Sequence, residues 1–345
     1  MNFIGSRNAV VVGPYRVHNF GDDLVGAILA KRLQRKGYRV SVPRLGRANA
    51  DWLGTEYSET YDEPLRRAHT VVVGGGGIMS DTSGAKPGAS YLDIVARAAI
   101  AGRLAGKKVL VTSVGAGPWI LERSKMLAFG VALIAEKIGV RDQESYDHLA
   151  SLGINGDKVV LGADCALLSA DYLDFKARPS GKIGIQFNTA QFSHVQENPH
   201  FEAIARAVRA YAEANSSNVL LLSNSKQKSP LAADAPSCEA MEYTRLKDYL
   251  PRLSGLRSVF TSHLHLAITA YSQRIPTFSL YVREKTKRFY DQIGHPERAI
   301  DLSVATPADF ERFIAAAETA TWTDKDEETL QRLQGQARSL LEFVA

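Results

Sequence analysis

VVVGGGGIMSD, residues 71–81, runs a stretch of β-branched residues into four successive glycines and a polar exit. The valines after Thr70 have the character of a strand buried on both faces, and the glycines behind them admit positive φ and a close approach of backbone to a ligand. A strand that passes through a glycine turn into a helical stretch is the repeating unit of a parallel α/β sheet. Outward from this stretch the unit recurs. Strands are expected at Ala9–Val12, Arg39–Val42, Thr70–Val73, Lys108–Ser113, Ile138–Val140 and Val159–Leu161, with helices between most of them. Asp22–Lys36 places Leu24, Ile28, Leu29 and Leu33 on one helical face, and Gly37 follows as a left-handed stop.

The alternation resumes after Pro179-Ser180-Gly181, the clearest linker signal in the chain. Strands are expected at Lys182–Gln186, Asn218–Leu222, Ser258–Thr261 and Thr277–Tyr281, with helices near 199–214, 240–254, 263–273 and 284–293. The pattern predicts an α/β protein of two Rossmann-like domains facing a cleft, residues 1–178 and 179–345. In Glu327–Phe343, Leu330, Leu333, Ala337, Leu340 and Leu341 recur at helical spacing, so a terminal helix is expected to dock on one domain or bridge back to the other.

Composition narrows the function. The 345 residues carry a formal charge of +5, 45% hydrophobic and 23% charged residues, an ordinary globular balance with a mild basic bias compatible with anionic ligands or an anionic surface. The two cysteines, Cys165 and Cys238, cannot build a disulfide framework or a cysteine metal site. The start MNFIGSRNAVVVG lacks a signal-peptide core, and no run of about 18 apolar residues occurs, so a cytoplasmic protein is expected.

In an open α/β sheet ligands bind where strands end and helices begin. Four loops stand there. GPYRVHNFGDD, residues 13–23, offers Arg16 and His18 beside Asn19 and Asp22, the last two able to shape a turn and cap a helix. In the glycine run, Gly75 and Gly76 line a ligand-side loop, and no Lys-Ser/Thr follows to make it a P-loop. SVGAGPW, residues 113–119, brings Gly115 and Gly117, but Pro118 breaks the spacing of a dinucleotide fingerprint. TSHLHLAITAYSQRIPT, residues 261–277, is expected to start a helix near Ser262 with His263 and His265 in its first turn, where free N–H groups favour an anion. Residues two apart on a helix diverge and no other ligand lies nearby, so no metal is expected there. Packing of the imidazoles into the helix start is the competing reading.

Taken in order, N-x-G-D at Asn19 to Asp22, the glycines 74–77, S-x-G-x-G-P at Ser113 to Pro118, V-R-D-x-E-S at Val140 to Ser145, Asp164, and Leu264-His265 followed by Ile275-Pro276 resemble the polysaccharide pyruvyltransferase family. The resemblance spans residues 9–294. It implies a GT-B-like pair of domains and transfer of pyruvate from phosphoenolpyruvate to two hydroxyls of one sugar, forming a cyclic ketal, with no further cofactor. It also implies His265 as the donor-site histidine and general acid, with Arg141, His263, Ser262 and Lys285 at the donor. A salt bridge of Arg141 to Asp142 or Glu144 is the alternative for that residue. The sequence departs from the family at His263, where many members have arginine; Arg274, Arg283, Lys285 or Lys287 are candidates to replace that charge.

The acceptor implied is a glycan or lipid-linked oligosaccharide, which places the protein in the cytoplasm with peripheral contact at the inner face of the membrane; no nucleic acid is implied. Two other readings stay open. A nucleotide-sugar glycosyltransferase would need a ribose-binding carboxylate, with Glu239 and Glu242 as candidates. A noncatalytic glycan-binding protein would bind without turnover.

Overall fold

The computed structural model describes residues 7–15, 18–81, 90–187, 197–227 and 229–344. They divide into two compact units, one reaching to Leu173 and including the chain from Leu333 onwards, the other Asp174–Arg332. The break falls a few residues before the expected 178, and residues 333–344 pack with the first unit rather than the second.

The first unit is built on six parallel strands: β1 (Asn8–Val12), β2 (Arg39–Ser41), β3 (Thr70–Gly74), β4 (Lys108–Val114), β5 (Lys137–Val140) and β6 (Val159–Leu161). Their order is β2-β1-β3-β4-β5-β6. The chain leaves β1 toward one edge and then crosses back, so the order reverses between β1 and β3. Every residue of β3 is buried, and Val10, Val71, Val73, Val109, Val111 and Ile138 form one core with the helices Tyr91–Leu104 and Glu122–Ile134.

The second unit has β7 (Ile183–Gln186), β8 (Val219–Ser223), β9 (Glu239–Glu242), β10 (Ser258–Thr261), β11 (Thr277–Tyr281) and β12 (Ala299–Asp301). The order β12-β11-β10-β7-β8-β9, all parallel, is that of a dinucleotide-binding Rossmann sheet, with its reversal between β7 and β10. Phe310 and Phe313 of the helix Pro307–Thr319 fill its core against Phe260 and Phe278.

Two edge strands escaped the pattern. β9 is Glu-Ala-Met-Glu and β12 is Ala-Ile-Asp, too short or too polar for an apolar run. β9 also displaces the start of the expected helix 240–254, which begins at Leu246.

The helix Asp324–Glu342 begins in the second unit and ends in the first. Thr323 and Asp326 close its start reciprocally, each side chain accepting from the other's backbone N–H. Leu330, Leu333, Ala337, Leu340 and Leu341 are all buried. Within the first unit Leu340 lies over Gly139 and Gly162, where an added Cβ would come within 3.0 and 2.4 Å of its side chain, and its carbonyl accepts from Thr112 Oγ1 at 2.7 Å.

Candidate active site

In the first unit the loops after β1 and β3 meet where the strand order reverses. Asn19 caps the helix Phe20–Arg35, its side chain accepting from Gly21 N at 3.0 Å. Asp22 is not a cap: it sits in the first turn, against the glycine run. Gly76 has φ +72°, and a Cβ there would lie 2.9 Å from Asp22 Oδ1. Gly75, also left-handed, is pressed on Val25. The glycine run therefore serves close packing of the loop on this helix. His18, half-buried, holds a left-handed φ of 49° and lies beside Gly46. Arg16 lies outside the described residues.

The loop after β4 is stitched to the glycine run by backbone bonds from Gly115 N to Gly76 O (2.9 Å) and from Gly117 N to Met79 O (2.9 Å). Gly117 lies against His148 and precedes a cis Pro118. Arg141, at the end of β5, is buried beneath this loop. A Cβ on Gly115 would meet its guanidinium at 3.1 Å, and it bonds Asp164 Oδ2 at 2.9 Å, with Asp142 Oδ2 3.6 Å away. Both acids also organise backbone, Asp142 accepting from Ser145 N and Asp164 from Ala166 N. Glu144 instead faces His148. This is the salt-bridge arrangement: a buried cation set between two carboxylates, which braces three loops.

In the second unit the reversal between β7 and β10 carries a denser group. Gln186, the last residue of β7 and unremarked in the sequence, accepts at Oε1 from Thr261 Oγ1 (2.7 Å), Ser262 N (3.1 Å) and Ser262 Oγ (3.2 Å). Thr261 Oγ1 accepts in turn from His263 N at 2.9 Å. A glutamine ending an otherwise apolar Ile-Gly-Ile strand was the available signal. The helix starts at Leu264, later than expected: His263 is its N-cap residue, without a side-chain cap, and His265 alone of the pair lies in the first turn. No acidic residue occupies that turn, so its N–H groups and positive dipole end keep their preference for an anion.

The imidazole centroids of His263 and His265 are 6.3 Å apart. Burial, then the nearby His265, Lys285 and Arg283, hold the pKa of His263 well below 6.5. His263 Nδ1 is buried without a hydrogen-bond partner among the described residues, and His265 is 3% exposed. Of the four candidate cations, then, Lys285 and Arg283 act on His263. Arg274 makes a bidentate pair with Glu327, both bonds 2.8 Å, and Lys287 pairs with Asp291 at 2.9 Å. The reason is topological. β10 and β11 are parallel neighbours, so the loops that follow them share one edge; Arg274 precedes β11, and Lys287, though it follows β11, is paired along its own helix with Asp291.

Glu239 does not suit a ribose: it begins β9, at the end away from the strand termini that bind ligands, and it pairs with Lys182 and Arg252. Glu242 ends the same edge strand.

Solved structures share the fold at low identity. A Listeria monocytogenes protein assigned as a UDP-N-acetylglucosamine 2-epimerase superimposes with a TM-score of 0.63 at 12% identity, over 97% of this chain and 94% of that one. The UDP-GlcNAc 2-epimerase of Methanocaldococcus jannaschii gives 0.61 at 10%, over 97% and 99%. A glycotransferase of kitacinnamycin gives 0.52 at 11%, over 98% and 96%. The chain thus has a GT-B-type two-domain α/β fold. No curated protein matches it in sequence. Among the described residues no helix is long and apolar enough to cross a membrane. The model of the polysaccharide pyruvyl transferase family matches residues 19–284, taking in the asparagine cap, the glycine run, Arg141 and both histidines, and the chain belongs to that family.

Proposed function

We propose that the protein transfers pyruvate from phosphoenolpyruvate to two hydroxyls of one sugar in a surface polysaccharide or its lipid-linked precursor. The observation that carries this reading is the cluster in the second unit: an anion-seeking helix start at Leu264, two histidines, and the cations Arg283 and Lys285. Phosphoenolpyruvate presents a carboxylate and a phosphate, and Arg283 with Lys285 supplies the charge that an arginine at position 263 would otherwise bring.

His265 is assigned the proton transfer. A proton delivered to the methylene carbon makes C2 electrophilic; one sugar hydroxyl adds to C2 and the second displaces phosphate from it, closing the ketal. Of the two hydroxyl protons lost, one balances the new methyl group and the other leaves with phosphate. An imidazole both gives and accepts a proton, and the burial of His265 keeps that proton from bulk water. His263, held neutral, contributes a polar contact rather than a fixed charge. Ser262 and Gln186 fix the backbone that aims both rings. Arg141, already set between Asp142 and Asp164, is a positioning residue in this reading, holding Gly115 and the loops around it.

The test is phosphate release from phosphoenolpyruvate in the presence of a membrane extract containing acceptor. Release by the wild type and its loss in His265→Ala support the reading. Release of the nucleotide from a nucleotide-sugar panel instead, with no phosphate from phosphoenolpyruvate, overturns it.

A further inference from the structure

Seven of the nine exposed large hydrophobic residues among those described fall between residues 100 and 133. Five of the seven belong to two neighbouring helices on the same core, Tyr91–Leu104 and Glu122–Ile134, tied together by an ion pair between Arg123 and Asp93. Ile100 and Leu104 are one turn apart on the first helix. Met126, Phe129 and Leu133 recur at helical spacing on the second. Leu104 is 84% exposed and Met126 67%. Ile120, 87% exposed, and Leu121 extend the strip just ahead of the second helix. An isolated exposed leucine needs no explanation, but a strip across two helices is the mark of a surface that is covered in use.

The charges beside the strip say what covers it. The only acids on the two helices are Asp93, buried in its pair with Arg123, and Glu122, which faces Lys125 at 4.0 Å. Arg97 and Arg103 lie on the first helix and Lys107 follows it, while Glu136 and Lys137 follow the second, so the cations outnumber the acids. Lys158 reaches the end of the second helix, donating to Leu133 O at 2.7 Å, close enough to Arg103 that the two cations repel. An apolar strip edged by cations fits an anionic bilayer, whose headgroups take the charge while the side chains enter the acyl boundary. It fits a second copy of this chain poorly, because at a two-fold interface the strip meets itself and its cations face one another.

We infer that the two-helix face of residues 97–133 docks the protein on an anionic lipid surface. The inference rests on the lipid-linked acceptor reading above, for it gives the enzyme access to an acceptor held at the membrane. It is peripheral binding by side chains, with no helix inserted across the bilayer.

The experiment is flotation of the full chain with vesicles of phosphatidylglycerol and phosphatidylcholine, compared with phosphatidylcholine alone. The wild type is expected to float with the anionic vesicles only. A triple variant, Leu104→Gln, Met126→Gln and Leu133→Gln, is expected to lower the bound fraction about tenfold, and Arg103→Glu to weaken binding in a salt-dependent way. All four positions are on the surface, so melting temperature should hold. Failure of the wild type to bind anionic vesicles, or wild-type binding by the triple variant, overturns the inference. So does a wild-type dimer that the triple variant converts to monomer in velocity sedimentation, since the face then joins two copies. Phosphate release with a water-soluble glycan acceptor keeps the two readings apart: its absence in the wild type speaks against the donor assignment, while flotation still decides the docking face.

Discussion

His263 and His265 are two residues apart in sequence and differ in setting, because one is the N-cap residue of the helix and the other is inside its first turn. If His265 delivers the proton, His265→Ala lowers turnover by about a hundredfold or more and leaves donor binding largely intact, which steady-state kinetics beside a binding titration would show. His263 is expected to reveal itself through pH. Its folded pKa lies below 6.5, so folding favours the neutral ring; its contribution is complete above that value and is lost as pH falls toward the folded pKa. The melting temperature of the wild type should therefore drop more steeply than that of His263→Gln between about pH 7 and about pH 5. Equal slopes would show that the ring titrates freely. His263→Arg adds a third cation beside Arg283 and Lys285, so it should melt lower than the wild type without phosphoenolpyruvate and gain more from it. The sequence named four cations that could serve this site. It could not choose among them, because the choice depends on which strand ends lie side by side, a property of the sheet order, and on Lys287 being paired with Asp291 along its own helix.

At the scale of elements, the buried strands and the glycine turns behind them were legible, because burial on both faces demands the β-branched runs seen in β3 and β4. The edge strands β9 and β12 were not: an edge has less to bury, so its residues carry little pattern. Helix starts were read a residue or two off, which is why His263 was placed in a turn that it caps. The glycines offer a test that separates backbone from contact. Gly37 and Gly76 both have positive φ, +81° and +72°, but a Cβ on Gly37 meets nothing within 4 Å while one on Gly76 strikes Asp22. Gly37→Ala should lose about 1–2 kcal/mol, the left-handed backbone term alone. Gly76→Ala should lose more, by the cost of moving Asp22. Urea denaturation of the two variants measures the difference, and equal losses would mean that the loop yields without strain.

For the whole molecule, the two sheets were anticipated and a terminal helix was expected to dock on one domain or bridge back to the other; the choice between the two stayed open, because an amphipathic stripe says that a helix docks and not where. Leu340 fills the notches left by Gly139 and Gly162. Leu340→Ala is expected to destabilise the protein by about 2–5 kcal/mol, read from chemical denaturation. A loss under about 1 kcal/mol would show that the end of the helix contributes little to the first unit. The arrangement bears on biosynthesis. Domains generally fold as they leave the ribosome, the earlier before the later. Here the residues that close the first sheet emerge only after all of the second unit has been translated. The half that is made first must wait, its glycine notches open, for a segment that begins 160 residues downstream of Leu173. A released chain that ends at Arg332 should therefore hold a second unit that resists protease and a first unit that does not.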